Sequence, residues 1–259
     1  MSTLTVADLT FERLNVKVYQ DRASLGRAAG LECAAHMREL LGKQERIRMI
    51  FAAAPSQNEF LETLASEPDL DWSRVTAFHM DEYIGLERQA PQCFARFLQE
   101  RLFDLVRPGE VHLIDGGASP EEESKRYGEL ASKRPIDIVC MGIGENGHIA
   151  FNDPPVADFH DPAPMKPVKL DEVCRRQQVN DGCFESIGDV PTHALTLTIP
   201  MLMSGRKLFC MVPGATKRAA VRRTLHDEIS TSCPSTILRT HPDCTLYTDT
   251  AAYGEDANG

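Results

Sequence analysis

Short apolar runs separated by helical stretches recur along most of this chain. That alternation constrains the fold more than any other feature. The runs span residues 15–19, 47–54, 74–80, 111–114, 136–141, 193–199, 207–212 and 245–248. Between them lie stretches that open on capping residues. Asp21 begins a helix reaching about Leu41, which Gly42 closes. Ser56 followed by Glu59 fits a capping box for a helix over 57–66. Residues 91–106 put Phe94, Phe97, Leu98, Leu102 and Leu105 on one face. Ser119-Pro120-Glu121-Glu122 starts another helix, and a last one runs over 214–228. Strands that are nearly all apolar and alternate with helices belong in a largely parallel sheet covered on both faces. The fold class is therefore α/β. No repeat or composition break divides the chain, which predicts one domain over 1–259, with a core at about 15–250 and an acidic, frayed tail over 251–259.

Several function classes are excluded early. With 28 basic and 38 acidic residues the net charge is −10, so the chain lacks the basic face of a general nucleic-acid binder or a partner of anionic membranes. A small anionic substrate remains compatible, since it needs only a local cluster of donors. Eight cysteines include no C-x-x-C pair, and Cys140 and Cys210 lie inside apolar runs, which speaks against a zinc site or a disulfide framework. No signal peptide is apparent, and no apolar run approaches the roughly 20 residues that span a bilayer. The expected setting is the cytoplasm.

The polar chemistry sits in four loops, each after a strand. Residues 142–154 hold three glycines within six positions, with His148 at the tip and Asn146, Asn152 and Asp153 around it. Gly144 and Gly147 allow backbone to approach a ligand closely, and an imidazole beside a carboxylate suits acid/base work. Asp81-Glu82-Tyr83 places two carboxylates in a loop at a strand's carboxyl end. Glu82 is either a solvated neighbour or a structural partner. Ser56 and Gln57 start a helix after the second strand, a position that suits either an N-cap or an anion contact. Lys217 ends Gly214-Ala215-Thr216-Lys217 ahead of another helix. In a parallel sheet these loops lie on one side. Together they suit proton abstraction beside the carbonyl of a phosphorylated sugar. His79 and His193 lie in strands and read as structural. From 153 to 190 the chain loses regularity: five prolines make regular structure unlikely before Lys169, and 170–184 reads as a mobile helix or flap.

Those loops resemble the glucosamine-6-phosphate deaminase/isomerase family. The shared segments are F-H-M-D-E-Y (78–83), G-I-G-E-N-G-H-I-A-F-N-D-P (142–154), V-P-T-H-A-L-T-L (190–197) and P-G-A-T-K (213–217), in the family's order. The resemblance implies a modified Rossmann-like fold, a homo-oligomer, a sugar-phosphate substrate, and neither metal nor organic cofactor. It implies an aldose–ketose isomerisation of an amino sugar phosphate coupled to hydrolytic loss of ammonia. Asp81 then moves a proton between C2 and C1, and His148 opens the pyranose ring. Asp153 and Asn146 tune the imidazole, and Lys217 contacts the phosphate. Asp153 stands where the family usually has Glu and is one methylene shorter, which predicts a bridging water or a backbone shift. Two departures concern the phosphate. Ala54-Pro55-Ser56-Gln57-Asn58 replaces a glycine-rich loop, and no arginine is in register around 180–184 to serve as the lid clamp. Rival readings are an isomerase of another sugar, a 6-phosphogluconolactonase-like hydrolase, and a sugar-phosphate sensor.

Overall fold

The computed structural model describes residues 5–254. An eight-stranded sheet runs through the molecule in the order β1 (Thr5–Phe11), β2 (Leu14–Tyr19), β11 (Cys244–Asp249), β10 (Lys207–Val212), β7 (Ile138–Met141), β3 (Ile47–Phe51), β4 (Val75–His79), β6 (Glu110–His112). Every pairing in it is parallel except β1 with β2. This is the α/β architecture expected. The strand β1 went unforeseen because it is an exposed edge with no apolar run, and it extends the sheet below residue 15.

Alternation along each strand feeds two cores. Ile138 and Cys140 of β7 face one cluster, while Val139 and Met141 face the other. The first is roofed by α1 (Arg22–Leu41) and α2 (Asn58–Ser66), through Leu25, Ala29, Met37, Phe60 and Leu64. The second is roofed by α5 (Pro120–Ser132) and α8 (Arg218–His226), through Tyr127, Ala131, Val221 and Leu225. A fully buried Leu, Met or Phe contributes about 1.5–3 kcal/mol, so these two layers hold the strand ends, and the loops on them, in place.

A second, antiparallel sheet orders β5 (Asp81–Tyr83), β9 (His193–Leu197) and β8 (Met165–Lys169). It corrects two expectations. The Asp81 segment is a strand paired to Thr196, Leu195 and Ala194, not a loop. Pro167 sits inside a strand, which is tolerated because β8 is an edge. Aromatic rings bind this sheet to its surroundings: Tyr83 lies 4.9 Å from Phe94, 5.4 Å from Phe151 and 5.5 Å from Phe184. The 91–106 stretch is helical in three parts, α3 (Phe94–Leu98), a π turn and α4 (Asp104–Val106), and Leu105 faces solvent. Residues 170–184 contain an ordered helix, α6 (Glu172–Asn180). A short α7 (Ile199–Met203) follows β9. The tail expected to fray includes α9 (Thr250–Tyr253), with Ala252 buried; residues 255–259 lie outside the described residues. No described helix is long and apolar enough to cross a membrane.

Candidate active site

Four neighbouring strands, β10, β7, β3 and β4, end on the same side of the sheet, and the loop after each carries one part of a single cavity. Strand β7 enters between β3 and β10, both of which belong to other crossovers. This is the kind of switch point where open α/β sheets take ligands. The cavity is about 190 Å³, small enough for one sugar-sized molecule. Ser56, Gln57, Asp81, Gly144, His148 and Lys217 all line it. Asn146, Asp153 and Gly147 do not, and their roles differ accordingly.

Asn146 and Asp153 stand behind the imidazole. His148 Nδ1 is 2.8 Å from Asn146 Oδ1 and 3.0 Å from Asp153 Oδ1. Both neighbours are acceptors, so Nδ1 carries a proton, and in the neutral form of the ring Nε2 is the nitrogen with the lone pair. Asn146 Nδ2 donates to Asp153 Oδ1 at 2.9 Å, and the His148 backbone N–H donates to Asn146 Oδ1 at 3.0 Å, which closes the network. The shorter Asp153 therefore reaches the ring directly, without the water or shift expected of it. The turn over 149–152 brings it there: Ala150 adopts φ 49°, Asn152 N–H donates to Ile149, and Asn152 Nδ2 donates to Leu197 O at 2.9 Å. A non-glycine left-handed residue costs energy that the surrounding contacts must offset, a pattern common at functional turns. Burial alone would raise the Asp153 carboxyl, but His148, Asn146 and the Cys174 thiol outweigh burial and hold it below its ordinary value.

Gly144 lies under the ring: a Cβ there would come 2.1 Å from His148 Cε1, so only glycine lets the imidazole sit where it does. Gly147 is a different case. Its N–H donates to Gly144 O, its carbonyl accepts from Ser235 N–H, and a Cβ would strike Cys233 Sγ at 2.5 Å. It shapes the turn against a neighbouring segment and contacts no ligand space, contrary to the sequence expectation.

Asp81 lies across the cavity at the start of β5, buried, with no described protein group donating to its carboxylate. Burial, and then the Glu82 charge, push its pKa well above the ordinary aspartate value. Glu82 points away and accepts from the backbone N–H groups of Tyr83, Phe94 and Ala95, fixing the start of α3. Its carboxyl is pushed up to about 7 by burial, which those N–H groups oppose. It is a structural partner. So is His79, which is fully buried and accepts from Ile114 N–H at 2.8 Å.

The other end of the cavity is built from two single turns of 3-10 helix, Pro55–Gln57 ahead of α2 and Ala215–Lys217 ahead of α8. The Ser56 capping box does not form. Glu59 turns outward to Arg22 at 2.6 Å, a bidentate pair that outcompetes a single reach back to the Ser56 backbone. Ser56 Oγ instead accepts from Gln57 Nε2 at 3.1 Å, and Gln57 Oε1 is buried without a partner. Lys217 is delivered by Gly214, whose φ of 95° starts the turn and whose N–H is held by the Asp249 carboxylate at 3.0 Å. Lys217 is 6% exposed as a residue, and its ammonium has no described partner within ion-pair distance. Burial lowers its pKa, against the pull of Asp181 and Glu145.

Sequence reading missed a whole wall. Cys174, Gln177, Gln178 and Asp181 recur at helical spacing along α6 and face inward, the last three lining the cavity. Gln177 Oε1 accepts from Glu145 N–H at 2.7 Å, tying α6 to the histidine loop. Arg22 lines the rim. The i, i+3, i+4, i+7 spacing was available, but a polar stripe does not read as a buried face.

This geometry can hold a small polyol between a buried carboxylate and an imidazole. A family profile described as glucosamine-6-phosphate isomerases/6-phosphogluconolactonase matches residues 20–165. A glucosamine-6-phosphate deaminase from Bacillus cereus is 40% identical over 184 residues, 71% of this chain and 68% of that one. Another, from an Exiguobacterium species, is also 40% identical over 71% of this chain and 70% of its own. Among solved structures, a monomeric glucosamine-6-phosphate deaminase called a missing link of the NagB superfamily superposes with a TM-score of 0.83 at 29% identity, covering 92% of this chain and 98% of that one. A 6-phosphogluconolactonase from Thermotoga maritima superposes with a TM-score of 0.75 at 19% identity, over 91% of this chain and 99% of that one, a likeness of fold alone.

Proposed function

Because the chain belongs to the glucosamine-6-phosphate isomerase/6-phosphogluconolactonase family, we propose that it is an amino-sugar-phosphate deaminase/isomerase. It converts glucosamine 6-phosphate, or a related hexosamine phosphate, to the ketose phosphate with release of ammonia. The observation that carries this reading is the pairing of Asp81 and His148 across one cavity. His148 takes a proton at Nε2 from the anomeric hydroxyl and returns it to the ring oxygen as the C1–O bond breaks. Asp153 and Asn146 stabilise the transient imidazolium through Nδ1. Asp81 removes the C2 proton of the open chain and delivers it to C1, leaving a ketimine. Water adds at C2 and ammonia leaves, so one water is consumed per ammonia formed. A base in this role works best when its pKa is raised toward the working pH, and burial does that to Asp81. The two 3-10 turns and Lys217 support an anion at the far end.

The test is ammonia release, with identification of the ketose product, across a panel of hexosamine 6-phosphates. Hydrolysis of a phosphorylated lactone without any ammonia from the panel would replace this reading with the lactonase one. Gel filtration checks the oligomeric state, for which a homo-oligomer is the proposed outcome.

A further inference from the structure

Among the described residues, Lys217 is the buried cation lining the far end of the cavity, and Asp181 shares that lining. Arg22 reaches the rim with its charge committed to Glu59, through Nε at 2.6 Å and Nη2 at 2.9 Å, and with Nη2 also bonded to Pro55 O. Against Lys217 stand two carboxylates, Asp181 and Glu145, the strongest opposite charges acting on it. Of these two carboxylates only Asp181 lines the cavity, so a phosphate at this end meets it as a like charge. Asp181 also sits at the C-terminal cap of α6, where the helix presents its negative end. A carboxylate is unfavourable there, so the position needs another reason for it.

The inventory of unmet hydrogen bonds points the same way. Lys217 has no side-chain partner among the described residues, and Gln57, which lines the cavity with it, holds a buried Oε1 without a donor. Asp181 Oδ2 receives only a long 3.3 Å bond from Gln177 Nε2. A phosphate dianion brings acceptors alone: it can take bonds from Lys217 and the Ser56 and Thr216 hydroxyls, but it leaves Gln57 Oε1 unmet and faces Asp181 as a like charge. A hydroxyl group both donates and accepts, and it can bridge an ammonium to a carboxylate or an amide oxygen.

We propose that Asp181 is a specificity-determining residue that fits the far subsite to a sugar hydroxyl, so that the substrate class extends to unphosphorylated hexosamines, bound within about tenfold of their 6-phosphates. This rests on the deaminase/isomerase reading for its chemistry and changes only the group at the sugar's distal carbon. The reaction balances as before: hexosamine and one water give ketohexose and ammonia.

Binding can be measured apart from turnover by calorimetry with two alditols that cannot react at C1, 2-amino-2-deoxy-D-glucitol and its 6-phosphate. The expected result is Kd values within about tenfold of each other for the intact protein, and an Asp181→Asn variant whose preference moves toward the phosphate by roughly tenfold, equivalent to about 1.4 kcal/mol. A phosphate preference above tenfold in the parent protein, an unmoved ratio in the variant, or no binding of either alditol overturns the proposal. Because the ratio compares two ligands on one protein, partial misfolding of the variant cancels. Ammonia assays on glucosamine and glucosamine 6-phosphate read the underlying chemistry separately. Ammonia release with strong phosphate preference sinks the inference alone. Comparable binding with no ammonia from either sugar sinks the deaminase reading alone.

Discussion

The two ends of the cavity are built on opposite principles. At the His148 end the imidazole already has its partners: Nδ1 meets Asn146 and Asp153, and Asn146 bonds both neighbours, with Asp153 Oδ2 left buried behind them without one. At the Lys217 end Gln57 Oε1 is buried without a donor, and Lys217 has no side-chain partner among the described residues. A closed network fixes an atom for chemistry before the substrate arrives, which is how a general acid or base avoids reorganisation during the reaction. An open network is completed by the ligand. Asp81 combines the two, being rigidly placed on a strand yet bare of donors, as a base that must accept a carbon-bound proton should be. The contrast assigns rate to one end and selectivity to the other.

The largest expected effect breaks that division if it fails. Asp81→Asn keeps shape and removes the base, so kcat falls about 10³-fold or more while the alditols still bind. An unchanged kcat, or loss of binding in step with rate, would sink the assignment. The same carboxyl sets a pH prediction. Its pKa is raised, so it is ionised only above a pH well over the ordinary aspartate value, and kcat/KM falls as pH drops through that raised pKa. Asp153 is held low and stays ionised across this window. The stability signs are therefore opposite. A raised acid favours the fold while protonated and costs stability once ionised, so Asp81→Asn raises Tm at neutral pH. A lowered acid contributes stability above its unfolded pKa, lost as pH falls through the folded value, so Asp153→Asn lowers Tm. Thermal melts on both variants check the pair, and two shifts of the same sign contradict it.

Next in size is His148→Gln, expected to slow the cyclic substrate about 10²-fold and a pre-opened analogue much less. Equal losses on both would remove the imidazole from ring opening and leave it a positioning role.

The same division runs through what the residues disclosed. Strands β3, β7 and β10 are apolar apart from Arg48 and Lys207 because both their faces are covered, and they read plainly. So did the loops behind them, and with those loops Asp81, His148 and Lys217. The small antiparallel sheet did not, since Asp81–Tyr83 is a three-residue strand whose identity comes from pairing with β9, and β8 carries a proline. The capping box at Ser56 failed because its partner Glu59 answers to Arg22, 37 positions away. Gly147 looked like its neighbour Gly144, and only the approach of Cys233 separates their roles. Gln177, Gln178 and Asp181 were hidden for a different reason: a helix that turns a polar stripe toward a cavity has no hydrophobic signature to follow. What sequence reading located was the end proposed to move protons, together with Ser56, Gln57 and Lys217; what it missed was the α6 wall of the end proposed to select.

The smallest predicted change tests whether that selecting end is strained while empty. Lys217 is buried, its pKa is lowered by burial, and no described carboxylate lies within ion-pair distance. A depressed lysine pKa means that the fold disfavours the ammonium, so the charged form at neutral pH costs stability. Lys217→Met keeps the length of the chain and removes the charge. Its fold should gain on the order of 1 kcal/mol, as substitutions that relieve a destabilised functional site do. The affinity for the phosphorylated alditol should fall roughly tenfold, near the lower value of a charge-assisted hydrogen bond, with a smaller loss for the free alditol. kcat on bound substrate should change little, because the lysine lies at the opposite end from the reacting carbons. If the variant instead lost stability and kcat together, Lys217 would belong to the rigid end of the cavity, and the division between a finished chemical end and an unfinished binding end would not hold.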